Sequence, residues 1–232
     1  MERKRKITIF FDIGHTLAVG GEMSPRRLIG HRLGLSEKDM KALGKFIMTT
    51  PIETVEELID AIAPFTVHRN TSALQETIKE IWEEQEACVE LLPGVEDVVE
   101  TLAAKGYELG VISNIWHPFY QGVRKKAGHL WRHFRHEVLS YKVGFKKPDA
   151  RIYNVAYRIS QADECWMVGD TYEMDILPAR TEGFKTAWFL IRPEREREVL
   201  AKMLRGEIPA PDFALSDLRE LIDRASPFGN VN

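Results

Sequence analysis

Residues 7–16 read ITIFFDIGHT, and this stretch decides the fold. Ile7, Thr8, Ile9, Phe10 and Phe11 are all β-branched or aromatic, and the run stops at the carboxylate of Asp12, with Gly14 close behind. A short, unbroken apolar run marks a strand covered on both faces, as strands of a parallel sheet are. Upstream, the basic stretch 3–6 is expected to be a solvated lead-in to that strand, with targeting or nucleic-acid binding as lesser readings. The apolar run is too short for the h-region of a signal peptide, which needs about 7–15 residues and a small-residue cleavage site. No segment reaches the ~18 apolar residues of a membrane span. The expected location is cytoplasmic.

Downstream the pattern changes and then changes back. From about residue 23 to 89 helical periodicity dominates, with capping boxes at Thr54/Glu57 and Ser72/Gln75 and with Pro51 and Pro64 as punctuation. Ile78, Ile81 and Trp82 recur at helical spacing and read as packing residues. After Pro93-Gly94 the chain alternates: helix 95–105, strand 107–112, a further helix, a short apolar segment at 138–139, a helix from Asp149, strand 165–168, helix 175–181 closed by Gly183, and strand 186–191. The final DFALSDLRELI suggests a short strand and a helix with Ser216 as N-cap. Strands alternating with helices of about ten residues build βαβ units, so the fold class is α/β with a parallel sheet and a helical insertion.

Composition agrees. The 232 residues are 44% hydrophobic and 29% charged, ordinary for a soluble protein with a large core. A disordered tail, a fibre and a disulfide-stapled miniature are excluded. A formal net charge of −3 gives no electrostatic case for nucleic acid as the main partner. Cys88 and Cys165, far apart and outside any CxxC, read as reduced, buried thiols.

In an open parallel sheet, ligands bind at the carboxyl ends of the strands. Useful groups cluster at four such places: Asp12-Ile-Gly-His-Thr16, Ser113-Asn114, Lys147 ahead of Pro148, and Gly169-Asp170 with Asp175 five residues on. Three carboxylates in one cleft repel one another unless a hard cation joins them, and Mg²⁺ prefers oxygen ligands and phosphate. A carboxylate can attack phosphorus and form an aspartyl phosphate, dividing one hard step into two. Ser113, nearby backbone N–H groups and Lys147 can hold phosphoryl oxygens and offset their charge. Any one of these would pass for a turn or capping residue; the ordered set points to phosphoryl chemistry.

At these residues the chain resembles the haloacid dehalogenase (HAD) superfamily of phosphohydrolases. FDIGHTL stands at the first motif, VISN at the second, GFKKPDARIY at the third and VGDTYEMD at the fourth, with LLPGVEDVVETLAAKGYELGVISN as the re-entry from a helical cap. The resemblance spans essentially the whole chain. It implies a Rossmann-like core of residues 1–18 and 90–232 and a helical cap of residues 19–89. It also implies Mg²⁺ as cofactor, Asp12 as nucleophile and metal ligand, Gly14 as a ligand through its carbonyl, Asp170 as a ligand, and Asp175 as support directly or through water. Ser113 would bind phosphate and Lys147 would stabilise charge, with Thr16 and Asn114 completing the substrate-binding set. A small phosphorylated metabolite is the implied substrate; the oligomeric state has no signal in the sequence.

One departure matters. Most phosphatases of the superfamily carry a second aspartate two residues after the nucleophile, where it protonates the leaving group and then activates water. Gly14 stands there instead, and losing a positioned acid/base costs about 10²–10⁴ in rate. Three repairs are open. His15 or His117 can substitute, since histidine titrates near neutral pH, although each also reads as a loop histidine. The substrate can have a leaving group that needs no proton, such as an acyl or aryl phosphate. With no repair, the chain is a phosphate-binding module. A dehalogenase would put a bulky aromatic at Gly14 and use no metal, against which the two aspartates of VGDTYEMD argue. A phosphonatase would add a cap lysine, for which Lys38 is the candidate, but that branch has arginine at the third motif and lacks the SN signature. Finally, His129, His133 and His136 fall at i, i+4 and i+7, a helix face that could bind zinc. The interleaved Arg132 and Arg135 favour a solvated basic face instead, with Trp131 and Phe134 turned to the core.

Overall fold

A computed structural model describes residues 5–66, 71–223 and 227–228. Among them are the strands β1 Ile7–Phe11, β2 Ala18–Val19, β3 Glu90–Leu91, β4 Glu108–Ser113, β5 Phe134–Leu139, β6 Glu164–Gly169, β7 Lys185–Phe189 and β8 Phe213–Leu215. Six form one parallel sheet in the order β5-β4-β1-β6-β7-β8. Every residue of β1 is buried. Ile7, Ile9 and Phe11 pack with Leu109, Val111, Trp166 and Val168, whereas Phe10 packs with Ile112, Val138, Cys165 and Met167. That is the two-residue period of a strand used on both faces. Burying each of these side chains contributes about 1.5–3 kcal/mol, so a one-residue slip, which exchanges the faces, is strongly disfavoured. Gly110 permits the pairing, because a Cβ there would lie 2.5 Å from the Phe10 ring.

From β1 the connections run both ways: β4 lies on one side and β6 on the other, with Phe11 paired to Val111 and to Val168. β1 is therefore the topological switch point, where crevices open beyond the strand ends. The lead-in is exposed at Arg5, as expected, and is also tied down by ion pairs. Arg5 pairs with Glu164 at 2.7 Å, Lys6 Nζ with Glu108 at 3.2 Å, and the Lys6 N–H donates to Asp163 at 2.8 Å; residues 3 and 4 lie outside the described residues.

Four helices, α1 Pro25–Leu33, α2 Glu37–Ile47, α3 Val55–Ile62 and α4 Ser72–Ala87, build their own core from residues including Leu28, Leu43, Leu58, Ile78, Ile81 and Trp82. Both chain crossings to the sheet meet in the short antiparallel pair β2–β3, Ala18 opposite Leu91. Thr54 and Glu57 form the expected capping box. The cap of α4 is Thr71 rather than Ser72: the Thr71 hydroxyl accepts from the Leu74 N–H, and Ser72 is already helical.

The remaining helices are α5 Val95–Ala104, α6 His117–Lys126, α7 Gly128–Trp131, α8 Ser140–Val143, α9 Ala150–Ser160, α10 Leu177–Thr181 and α11 Arg197–Leu204. α11 has no counterpart in the sequence reading. Residue 175 does not begin a helix but sits in a π-helical turn, Tyr172–Ile176, ahead of α10. At the C-terminal end a single 3₁₀ turn, Leu218–Leu221, follows β8, capped by Asp217 and Glu220 rather than by Ser216. The three histidines share no helix face. His129 is on α7 and bonds Glu96 at 3.0 Å, His133 is in a turn, and His136 is on β5 and bonds Glu108 at 3.0 Å. Trp131 and Phe134 are buried as expected. Both cysteines are free, but Cys88 is only half-buried. No helix among the described residues is long and apolar enough to cross a membrane.

Candidate active site

Asp12 follows β1 directly, and its N–H still donates to Val168 O at 2.9 Å, so the carboxyl is fixed at the switch point. Ser113, buried, ends the neighbouring β4, while Asp170 follows β6. Lys147, 2% exposed, reaches in from the loop before α9. Its Nζ lies 2.7 Å from Asp12 Oδ1, an ion pair whose alignment falls short of a hydrogen bond, and donates to Asp175 Oδ1 at 2.5 Å. Burial opposes the ammonium charge, but the carboxylates of Asp12 and Asp175 outweigh it and hold the lysine above its ordinary range. Asp175 goes the other way: burial pushes its carboxyl up, and the nearby Asp12 adds to this against the pull of Lys147. Two carboxyl groups thus share one ammonium in a site from which water is largely excluded.

The residues around this triad set its geometry. Asp175 Oδ2 accepts from the Thr171 N–H at 3.0 Å. Gly169 has no alternative, since a Cβ there would lie 2.4 Å from Asp175 Cβ and Cγ. Asn114 grips Lys147 by its main chain, accepting from the N–H at 2.7 Å and donating to the carbonyl at 2.9 Å. Its amide is thus occupied with positioning the lysine, a different use from the substrate contact expected of it. Asp170 pairs with Arg192, from the loop after β7, and its carbonyl accepts from Trp188 Nε1 at 3.0 Å. Thr171 stands inside VGDTYEMD without having been given a role, and Arg192 was not marked at all, because a single residue in a loop outside the motifs carries no signal.

One oxygen each from Asp12, Asp170 and Asp175 lie within 4.8 Å of one another. Trans oxygens on an octahedral Mg²⁺ are about 4.2 Å apart, and the ion takes hard carboxylate ligands. An all-oxygen donor set of three converging carboxyl groups fits such an ion.

Gly14 is open. Nothing lies within 4 Å of where its Cβ would be, and its backbone is outside the left-handed region. His15 does adopt that region, at φ 56°, held by its N–H donating to Ala18 O at 2.8 Å. It lines the same cavity as Gly14. Burial lowers its basicity, assisted by Arg192, so the ring is neutral near pH 7. His117 is elsewhere: it lines a different cavity, with Nδ1 3.0 Å from Tyr141 Oη and Nε2 2.9 Å from Gln121. The Thr16 hydroxyl is buried and has no partner among the described residues. Lys38 is exposed on α2 and does not line the cavity at Gly14.

A strand-end acidic site at the switch point of a parallel sheet, with a buried lysine between its carboxylates, defines the class. Residues 27–189 match the model of the haloacid dehalogenase-like hydrolases, and the chain belongs to that family. It is 34% identical over 100 residues to a glyceraldehyde 3-phosphate phosphatase of Pyrococcus abyssi, a match covering 42% of each chain. A phosphoserine phosphatase of Thermus thermophilus is 29% identical over 136 residues, covering 56% of this chain and 49% of the relative. The chain thus spans about half the length of the curated relatives it matches. The fold is shared with a 2-haloacid dehalogenase from Pseudomonas syringae, at a TM-score of 0.61 and 18% identity, over 94% of this chain and 96% of that one.

Proposed function

We propose that this protein is a Mg²⁺-dependent phosphatase of small phosphorylated metabolites that works through an aspartyl phosphate on Asp12. The supporting observation is the Asp12–Lys147–Asp175 arrangement at the switch point, with Asp170 beside it. Asp12, the Gly14 carbonyl, Asp170 and Asp175 would hold the ion, which when bound offsets the charge of the substrate phosphoryl group. Lys147 holds the Asp12 carboxyl in place through their ion pair and neutralises charge that builds up on phosphoryl oxygens. Ser113 and Thr16 donate to those oxygens. His15, neutral and facing the Gly14 cavity, is the substitute for accepting a proton from the attacking water. In this reading residues 19–89 act as the cap and residues 1–18 and 90–232 as the catalytic core.

The open space above Gly14 favours a second reading, a module that binds phosphorylated ligands without turning them over. Acid-quench trapping with ³²P-labelled aryl phosphate separates the two. Label on Asp12 that is lost on chelation of the metal and absent in Asp12→Asn is the expected result. Metal-dependent binding with neither label nor turnover would overturn the phosphatase reading.

A further inference from the structure

The cavity above Gly14 has a wall that the phosphoryl chemistry does not use. Its volume is about 560 Å³, within the ordinary range for small-molecule pockets. Gly14, His15 and Asn114 line it on the side of the carboxylates, and Arg26 and Arg27 from α1 and Arg195 from the loop after β7 line it elsewhere. Among the described residues, Glu22 is its single acidic lining residue. An adjoining cavity of about 300 Å³ shares Arg26 and Asn114 with it and adds Lys41, Lys45 and Lys146, with no carboxylate. This is a cationic wall on a chain whose net charge is −3.

Its charges are not consumed internally. Among the described residues, none of the guanidinium groups of Arg26, Arg27 and Arg195 has an ion-pair or hydrogen-bond partner. Arg26 is nevertheless positioned: a Cβ at Gly44 would lie 2.8 Å from its Cδ, so its stem rests across bare helix backbone on α2. All three arginines are exposed, so like charge gathers on one wall with only solvent to answer it. An anion supplied from outside relieves that repulsion.

We propose that the cavity takes a phosphate monoester bearing a second anionic group, a carboxylate or another phosphate, and that Arg26 binds this group with Arg27 and Arg195 completing the wall. The proposal rests on the phosphatase reading and names its substrate class. Kinetics on two matched pairs test it: 3-phosphoglycerate against glycerol 3-phosphate, and fructose 1,6-bisphosphate against fructose 6-phosphate. The anionic-tailed member of at least one pair is expected to show a kcat/KM at least tenfold higher, about 1.4 kcal/mol, and the arm that responds identifies the group. In Arg26→Gln the ratio falls below about threefold, mostly through KM, and in Gly44→Ala, which displaces the stem but keeps the charge, it falls partway. Ratios near one in both arms, or a ratio unchanged in Arg26→Gln, would overturn it. Turnover of neutral-tailed esters with no preference leaves the phosphatase reading intact and removes this one. Calorimetric preference of Asp12→Asn for the anionic members, with no turnover by the natural chain, does the reverse.

Discussion

The strand-end site and the cavity wall above it treat charge in opposite ways. At the strand ends every cation already has a carboxylate: Lys147 sits between Asp12 and Asp175, and Arg192 on Asp170. On the wall, Arg26, Arg27 and Arg195 have no partner among the described residues. The first arrangement fixes geometry before any ligand arrives, which is what catalytic groups need. The second leaves charge free to be answered by a ligand, which is what selection between substrates needs.

The sharpest way to break that contrast is to remove the cation from the paired region. Lys147→Met leaves Asp12 and Asp175 buried without it, and a loss of about 3–5 kcal/mol is expected. For a chain of this size that lowers the melting temperature by about 10 °C, read by calorimetry. Adding Asp175→Asn should recover part of the loss, whereas Arg27→Gln on the wall should change the melting temperature little. Next comes Gly14→Asp, for which the space is present. Turnover of an aryl phosphate should rise about 10²-fold, the low end of what a positioned acid/base contributes; no rise would mean that His15 already performs the task. The smallest effect tests a charge cluster at the opposite edge of the sheet from β8. Burial opposes the charge of Glu108, but His136, Lys6 and Arg135 outweigh it and hold the carboxyl below its usual range. A carboxyl depressed in the folded state stabilises above its unfolded pKa and loses that contribution as pH falls through the lower folded value. Glu108→Gln should therefore cost about 0.5–1 kcal/mol at pH 7, with the difference from the natural chain, followed by urea titration, shrinking as pH falls below the ordinary carboxyl range.

Much of this was legible beforehand. The strand at ITIFF was readable because both of its faces are apolar, and β4, β6 and β7 likewise have mostly buried runs. The chemical residues were readable because four motifs stand in order, each at a strand end or a helix start. Failures have local causes. HLWRHFRH has the spacing of a helix, but Phe134, Val138 and Leu139 pair with β4 and the core, and that pairing converts the second half into β5. The caps at Thr71 and Asp217 missed by one residue, because adjacent hydroxyl or carboxyl side chains compete for the same N–H groups and only the backbone direction decides between them. α11 went unread because none of its residues is buried, so it shows little of the periodicity that a core imposes.

The sequence by itself determined the α/β sheet and the identity of the acidic and basic groups at its strand ends, because hydrophobic period and motif order are local properties that survive in one dimension. Tertiary structure alone decided that Asn114 clamps Lys147, that Arg192 meets Asp170, that nothing fills the space over Gly14, and that three arginines from two distant segments face one cavity. These are distances between residues far apart along the chain, and such distances exist only once β1 has been placed between β4 and β6 and the helices have packed above it.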